Sequence, residues 1–202
     1  MKKNNFEVEI TGPLDQEELL KVRGWLAGWK YEGCFDRYLI NFTTEEMRKN
    51  RLDVRARITN GAPELVIKHG EWGSGKRLES VVQCKTGQFL PLVNALLALG
   101  FNVGVGARRI SERYTKDGME FAVIEVKDYC YFYEAELMVS QAEQDDAMER
   151  LKAWAASKEL QVFNKDEYLS FIEDLDANAN DLLDTRKLSS LELIEKRINN
   201  QP

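Results

Sequence analysis

Charged residues recur at every second position along several short segments of this chain, and their types suit two kinds of chemistry. Glu7 and Glu9 in "FEVEI", and Glu134 and Glu136 in "YEAEL", stand two residues apart, so each pair shares one face of a strand. Clustered carboxylates repel one another and suit a hard divalent cation with oxygen ligands. Arg55 and Arg57 in "DVRARI", Lys68 in "ELVIKHG", Arg77 with Glu79 in "RLESVV", and Arg109 and Arg113 on either side of Ser111 in "RISERY" place cations in the same alternating way. Clustered guanidinium groups suit phosphate, which they meet bidentately. In a single sheet this alternation is also what a solvated face looks like, and for any one strand that reading suffices. The joint arrangement asks for more. Acidic strands lie at the two chain ends of the β-rich region with basic strands between them, and a closed barrel brings first and last strands together, setting four carboxylates opposite a cluster of cations. A polyphosphate chelated to Mg2+ or Mn2+ satisfies both.

The elements that must position these residues are legible from periodicity. "LDQEELLKVRGWLAGW" reads as a helix with Asp15 and Glu18 at capping-box spacing, and "QFLPLVNALLALGF" as another, with Pro91 near its start and Gly100 past its end. Strand-like runs ("CFDRYLINF", "LDVRARITNG", "PELVIKHGEWG", "KRLESVVQC") fill the space between. Asn60-Gly61 and the glycine-rich 70–75 separate the later ones, as in an antiparallel meander. Two or three more strands follow, with Asp117-Gly118 as a hairpin turn. From about Gln141 the pattern turns helical in "DDAMERLKAWAAS", "NKDEYLSFIEDL" and "SSLELIEKRI". Asn164/Glu167 and Ser189/Glu192 are the expected capping boxes, and "DANAND" is the expected loop between the last two helices.

The chain has 202 residues and a formal charge of −6, enough for one well-cored domain and the wrong sign for a general nucleic-acid binder. The charge is uneven: after residue 133 there are 16 Asp+Glu against 8 Lys+Arg, and before it 18 against 20. An acidic C-terminal segment is thus attached to a body with basic charge to place. No apolar run approaches the length of a membrane span, and the N-terminus enters a strand without a signal-like apolar region, so a cytoplasmic protein without membrane partners is expected. Cys34, Cys84 and Cys130 are odd in number and widely spaced, which points to buried free thiols.

Other signals fall away. "GEWGSGKR" has phosphate-loop glycines, but Arg77 follows Lys76 where Ser or Thr should hold Mg2+, and the next residues alternate as a strand, so a glycine-rich hairpin is expected. The glycines of "GFNVGVGARR" lack dinucleotide-fold spacing, and His69 is the sole histidine, too few for a multi-histidine metal site.

In its ordered strand motifs the chain resembles the CYTH superfamily, or triphosphate tunnel metalloenzymes, which includes inorganic triphosphatases, thiamine triphosphatases and class IV adenylyl cyclases. Glu7-Val8-Glu9-Ile10-Thr11 resembles the family's E-x-E-x-K, and "VRARI", "LVIK", "RLES" and "YEAEL" follow in family order. "MERLKAWAASKELQVFNKDEYLSFIEDL" resembles the helical pair that often closes these domains. Thr11 stands where the family has lysine, Ser111 where it has a basic residue, and Glu125 where it has aspartate. The resemblance implies an α+β protein built on a closed antiparallel eight-stranded barrel over residues 1–175; the segment 176–202, an acidic helical tail by its charge and pattern, lies beyond it. The resemblance also implies hydrolysis of a small-molecule triphosphate, with cyclisation of ATP or binding without turnover as alternatives. Glu7, Glu9, Arg55, Arg57 and Lys68 would be catalytic, and Arg55, Arg57, Lys68, Arg77, Arg109 and Arg113 would hold phosphate. Glu7, Glu9, Glu79, Glu125, Glu134 and Glu136 would hold Mg2+ or Mn2+. The tail is expected to cap or regulate rather than build the site, and a homodimer is allowed.

Overall fold

The computed structural model describes residues 6–42, 47, 49–70 and 76–199. In chain order its elements are β1 (Phe6–Leu14), α1 (Gln16–Leu26), β2 (Lys30–Phe42), β3 (Leu52–Thr59), β4 (Ala62–His69), β5 (Lys76–Gln83), α2 (Phe89–Ala98), β6 (Val103–Lys116), β7 (Met119–Val126) and β8 (Cys130–Val139). After a 3-10 turn at Gln141–Glu143 come α3 (Gln144–Ser157), α4 (Lys165–Asn178), β9 (Asp181–Asp184) and α5 (Leu188–Asn199). The strands hydrogen-bond in the order β2-β3-β4-β5-β1-β8-β7-β6-β9, and β2 also pairs with β6. Strands β1 to β8 therefore close into an antiparallel barrel, with β9 added beside β6.

The turns form where residue types require them. Asn60-Gly61 (φ 47° and 80°) and Asp117-Gly118 (φ 51° and 81°) both place two successive residues at positive φ. Such turns match the twist of the strands they join. They set the β3–β4 register at Thr59 opposite Ala62 and the β6–β7 register at Lys116 opposite Met119. The expected glycine-rich turn at 71–75 lies outside the described residues.

The chain divides into two compact units, one of residues 1–35, 70–78 and 110–172, the other of 36–69, 79–109 and 173–202. Each has its own apolar core on one face of its strands. In the first, Val8, Ile10, Phe121, Val123, Tyr133, Ala135 and Leu137 pack under Leu19, Val22 and Leu26 of α1 and Ala147, Leu151 and Ala155 of α3. In the second, Tyr38, Ile40, Phe42, Val54, Ala56 and Ile58 pack with Phe89, Val93 and Leu96 of α2, Leu183 of β9 and Ile194 of α5. Because side chains alternate, Glu7, Glu9, Glu134 and Glu136 in the first unit, and Asp53, Arg55 and Arg57 in the second, lie on the face of their strands opposite the apolar core.

The capping boxes at Asp15/Glu18 and Asn164/Glu167 form as the spacing predicts. Ser189 is no cap, since α5 already begins at Leu188. "DANAND" is not a loop either: α4 runs through Asn178, and Asp181 opens β9, whose Leu182 and Leu183 face Val105 and Gly104 of β6. Four residues are too short a run for periodicity to reveal. The three cysteines stand outside any disulfide among the described residues, but Cys34 is exposed and Cys84 and Cys130 half-buried. Among the described residues, no helix is long and apolar enough to cross a membrane.

Candidate active site

The first unit gathers carboxylates. Antiparallel register sets Glu9 opposite Glu136, Thr11 opposite Glu134 and Glu7 opposite Met138. One carboxylate oxygen from each of Glu7, Glu9 and Glu136 lies within 4.8 Å of the others, and Glu7 is only 7 % exposed. Three carboxylates so placed repel one another at short range. Arg77 offsets part of this, its Nη2 lying 3.1 Å from Glu9 Oε1. The set can hold a metal ion: its donors are all hard oxygens, the type that Mg2+ and Mn2+ prefer. Glu134 occupies the next register position on the same face, opposite Thr11 and Ala122.

Strand β7 supplies a residue that the sequence reading passed over. Glu120 pairs in register with Glu136, so Glu9, Glu136 and Glu120 form one row across three strands. Its Oε1 lies 3.1 Å from Nη1 of Arg113, whose guanidinium sits over the Phe35 ring at 4.8 Å. Nε of Arg113 is buried without a hydrogen-bond partner among the described residues. Glu125, the expected metal ligand on this strand, opposes Tyr131 and Ile110 and so shares the face of Phe121 and Val123. Strand parity puts it on the packed side, away from Glu136. Alternation in "MEFAVIEV" carried that signal, since Glu120 and Glu125 differ by an odd number.

The second unit gathers cations, of which Arg55, Arg57 and Lys68 are each matched to a carboxylate. Arg55 meets Asp53 side-on, with Nε 2.9 Å from Oδ1 and Nη2 on Oδ2. Arg57 Nε lies 2.5 Å from Glu64 Oε1, while Glu64 Oε2 accepts from Gln83 Nε2 at 2.8 Å. Lys68 Nζ lies 3.0 Å from Glu79 Oε2, and Arg57 Nη2 reaches the same carboxylate at 4.0 Å. Glu79, expected as a metal ligand, is thus placed among the cations. Arg37, another residue passed over, joins the face by pairing with Thr59, whose Oγ1 lies 3.1 Å from its Nε. Arg109 is held by Asn180 Oδ1 at 3.0 Å.

Burial decides against a solvated face. On β4 the charged side is the more enclosed: Glu64 is 8 % exposed and Lys68 6 %, whereas Leu65 and Ile67 on the apolar side are half-buried. Asp53 is 1 % exposed and Arg77 7 %. Charged groups are almost never so enclosed unless they are paired, and the desolvation involved is costly, so such a face is built for other charges.

The sequence matches no protein-family model and no curated protein. Solved structures do resemble it. The PH1819 protein of Pyrococcus horikoshii OT3 is 24 % identical, with 83 % of this chain and 98 % of that one covered at a TM-score of 0.67. A candidate adenylate cyclase from Vibrio parahaemolyticus is 13 % identical, covering 82 % and 93 % at 0.64. HpAC1 from Hippeastrum, a candidate adenylyl cyclase with a dominant triphosphatase activity, is 13 % identical, covering 78 % and 89 % at 0.51. At these identities the likeness concerns the fold. The chain shares with these proteins its fold, a closed antiparallel barrel, the architecture its ordered strand motifs led us to expect.

Proposed function

We propose that the protein hydrolyses a triphosphate, inorganic or organic, with the help of a divalent metal ion. The observation that carries this reading is the pair of enclosed charged faces, one holding the Glu7–Glu9–Glu136 triad and the other a row of arginines and a lysine. Glu7, Glu9 and Glu136, with Glu134 beside them, are the residues suited to hold Mg2+ or Mn2+. Bound there, the ion supplies neutralisation of phosphate charge and acidification of a water.

The chain's own residues do the rest. Arg55, Arg57, Lys68 and Arg77 present N–H donors to phosphate oxygens, and each is already oriented by a carboxylate (Asp53, Glu64, Glu79 and Glu9 respectively), so little reorganisation accompanies binding. The same donors stabilise charge that builds on the phosphoryl oxygens during transfer. Arg113 adds an unsatisfied Nε donor on the carboxylate-bearing face. Thr11, opposite Glu134, brings no cation to β1, which favours a second reading in which the ligand is held without turnover.

Purified protein given Mg2+ or Mn2+ with tripolyphosphate, ATP or thiamine triphosphate, all products quantified, separates the readings. Orthophosphate release supports hydrolysis; pyrophosphate with a cyclic nucleotide supports cyclisation. Binding of tripolyphosphate without products supports the ligand-holding module. Absence of both turnover and binding contradicts all three.

A further inference from the structure

Among the groups that hold Arg109 is a side-chain amide from the C-terminal segment. Arg109 Nη1 donates to the Arg108 carbonyl at 2.8 Å and its Nη2 to Asn180 Oδ1 at 3.0 Å. The amide cannot turn freely, because Asn180 Nδ2 donates to Asp176 Oδ1 at 2.7 Å, which leaves Oδ1 as the acceptor facing Arg109. The Arg108 carbonyl lies where β6 changes partners, beyond the β9 ladder that ends at Gly106 and before the β7 ladder that begins at Ile110.

The segment that presents Asn180 is firmly seated. β9 pairs with Val103–Gly106, and Thr185 donates through both its backbone N–H and its Oγ1 to the Asn102 carbonyl at 2.9 Å. Arg197 grips Asp181 through two bonds of 2.8 Å, and Leu183 and Ile194 are 2 % and 0 % exposed in the second unit's core. An arginine that is already oriented loses less side-chain freedom when an anion arrives.

We propose that Asn180 is a positioning residue that fixes the Arg109 guanidinium for a phosphate oxygen, so that the C-terminal segment contributes to ligand affinity as well as to the core. This rests on the triphosphate reading above. Its test is the calorimetric Kd for tripolyphosphate, with Mg2+ present, of the full-length parent, Asn180→Ala, Arg109→Ala and the double variant. Losing a charge-assisted phosphate contact in Arg109→Ala should weaken binding about tenfold or more. Asn180→Ala should weaken it about three- to tenfold, and the double variant should bind no worse than Arg109→Ala, because the two residues act through one contact. Asp176→Ala, which frees the amide, should weaken binding in the same direction by a smaller factor, and it carries the test if Asn180→Ala does not fold. The Mg2+-induced rise in melting temperature should be the same in all of them, since Glu7, Glu9 and Glu136 are untouched. Parent-like or tighter binding by Asn180→Ala, or additive losses in the double variant, overturns the proposal while leaving the triphosphate reading intact. If the parent itself binds no tripolyphosphate, the functional reading fails and this inference fails with it.

Discussion

At the scale of single residues, what distinguishes this protein is that its enclosed cations come with their own carboxylates. Asp53 is the most buried of these and grips Arg55 side-on. Removing one partner of such a pair leaves a desolvated charge behind, at a cost of about 3–5 kcal/mol. Asp53→Ala should therefore lose stability on that scale in urea unfolding, whereas a solvated ion pair would lose less than about 1 kcal/mol. The two carboxylates of β7 offer a second comparison. Glu120, in the row with Glu9 and Glu136, should when changed to Gln alter the protein's thermal response to Mg2+, and Glu125→Gln, on the opposite face, should leave it as in the parent. Equal responses of the two variants would show that strand parity does not govern the site. The pairs at Glu7/Glu9, Arg55/Arg57 and Glu134/Glu136 were legible in the sequence because a period of two needs no tertiary information. Asp53 and Glu120 were passed over because their roles depend on cross-strand neighbours, which only register supplies.

At the scale of elements, β1 is held to its position by a close backbone approach. A Cβ on Gly12 would lie 1.9 Å from the Gln161 carbonyl oxygen and 2.6 Å from the Tyr133 ring. Tyr133 donates to that same carbonyl at 2.8 Å, and the Phe163 N–H donates to the Thr11 carbonyl at 2.9 Å. The segment after α3 thus braces the strand that carries Glu7 and Glu9. Gly12→Ala must push backbone against backbone and should cost about 1–3 kcal/mol or more, with a weakened Mg2+ response because Glu9 moves with the strand. Gly24 sits inside α1, where an added Cβ would point into open space, so Gly24→Ala should stabilise by roughly 0.5–1 kcal/mol. Chemical denaturation of the two variants gives opposite signs on this account. The helices, the two tight hairpins and the meeting of the first and last barrel strands were readable, the first two because caps, Asn-Gly and Asp-Gly turns and alternation are local signals. β9 was not, because its strand state comes from pairing with Val103–Gly106 rather than from its own four residues.

At the scale of the molecule, the second unit's core depends on residues late in the chain: Leu183 and Ile194 pack with Tyr38, Phe42 and Phe89. A chain ending after Asn178 should therefore be less stable than the parent in thermal melts. A tail that only capped the site would leave the melting temperature unchanged. Burial also couples both units to alkaline pH. It pushes the hydroxyls of Tyr38 and Tyr133 well above the ordinary tyrosine range. A raised pKa means that the folded protein keeps the proton while the unfolded chain releases it, so this stability is intact below about pH 10 and declines as pH rises above it. Tyr38→Phe should flatten that decline, as read by melting temperature between pH 8 and 11.

The central claim is that Glu7, Glu9 and Glu136 form a metal-binding cluster within an enclosed charged face. Thermal melts of the parent, Glu9→Gln and Glu136→Gln, each with and without saturating Mg2+ or Mn2+, test it most directly. The account predicts that metal raises the parent's stability by about 2.7 kcal/mol at a hundredfold excess over its Kd. Both variants should respond weakly to metal, and without it Glu136→Gln should be as stable as the parent or more so, because it relieves carboxylate repulsion. A parent that melts at the same temperature with and without metal would contradict the account.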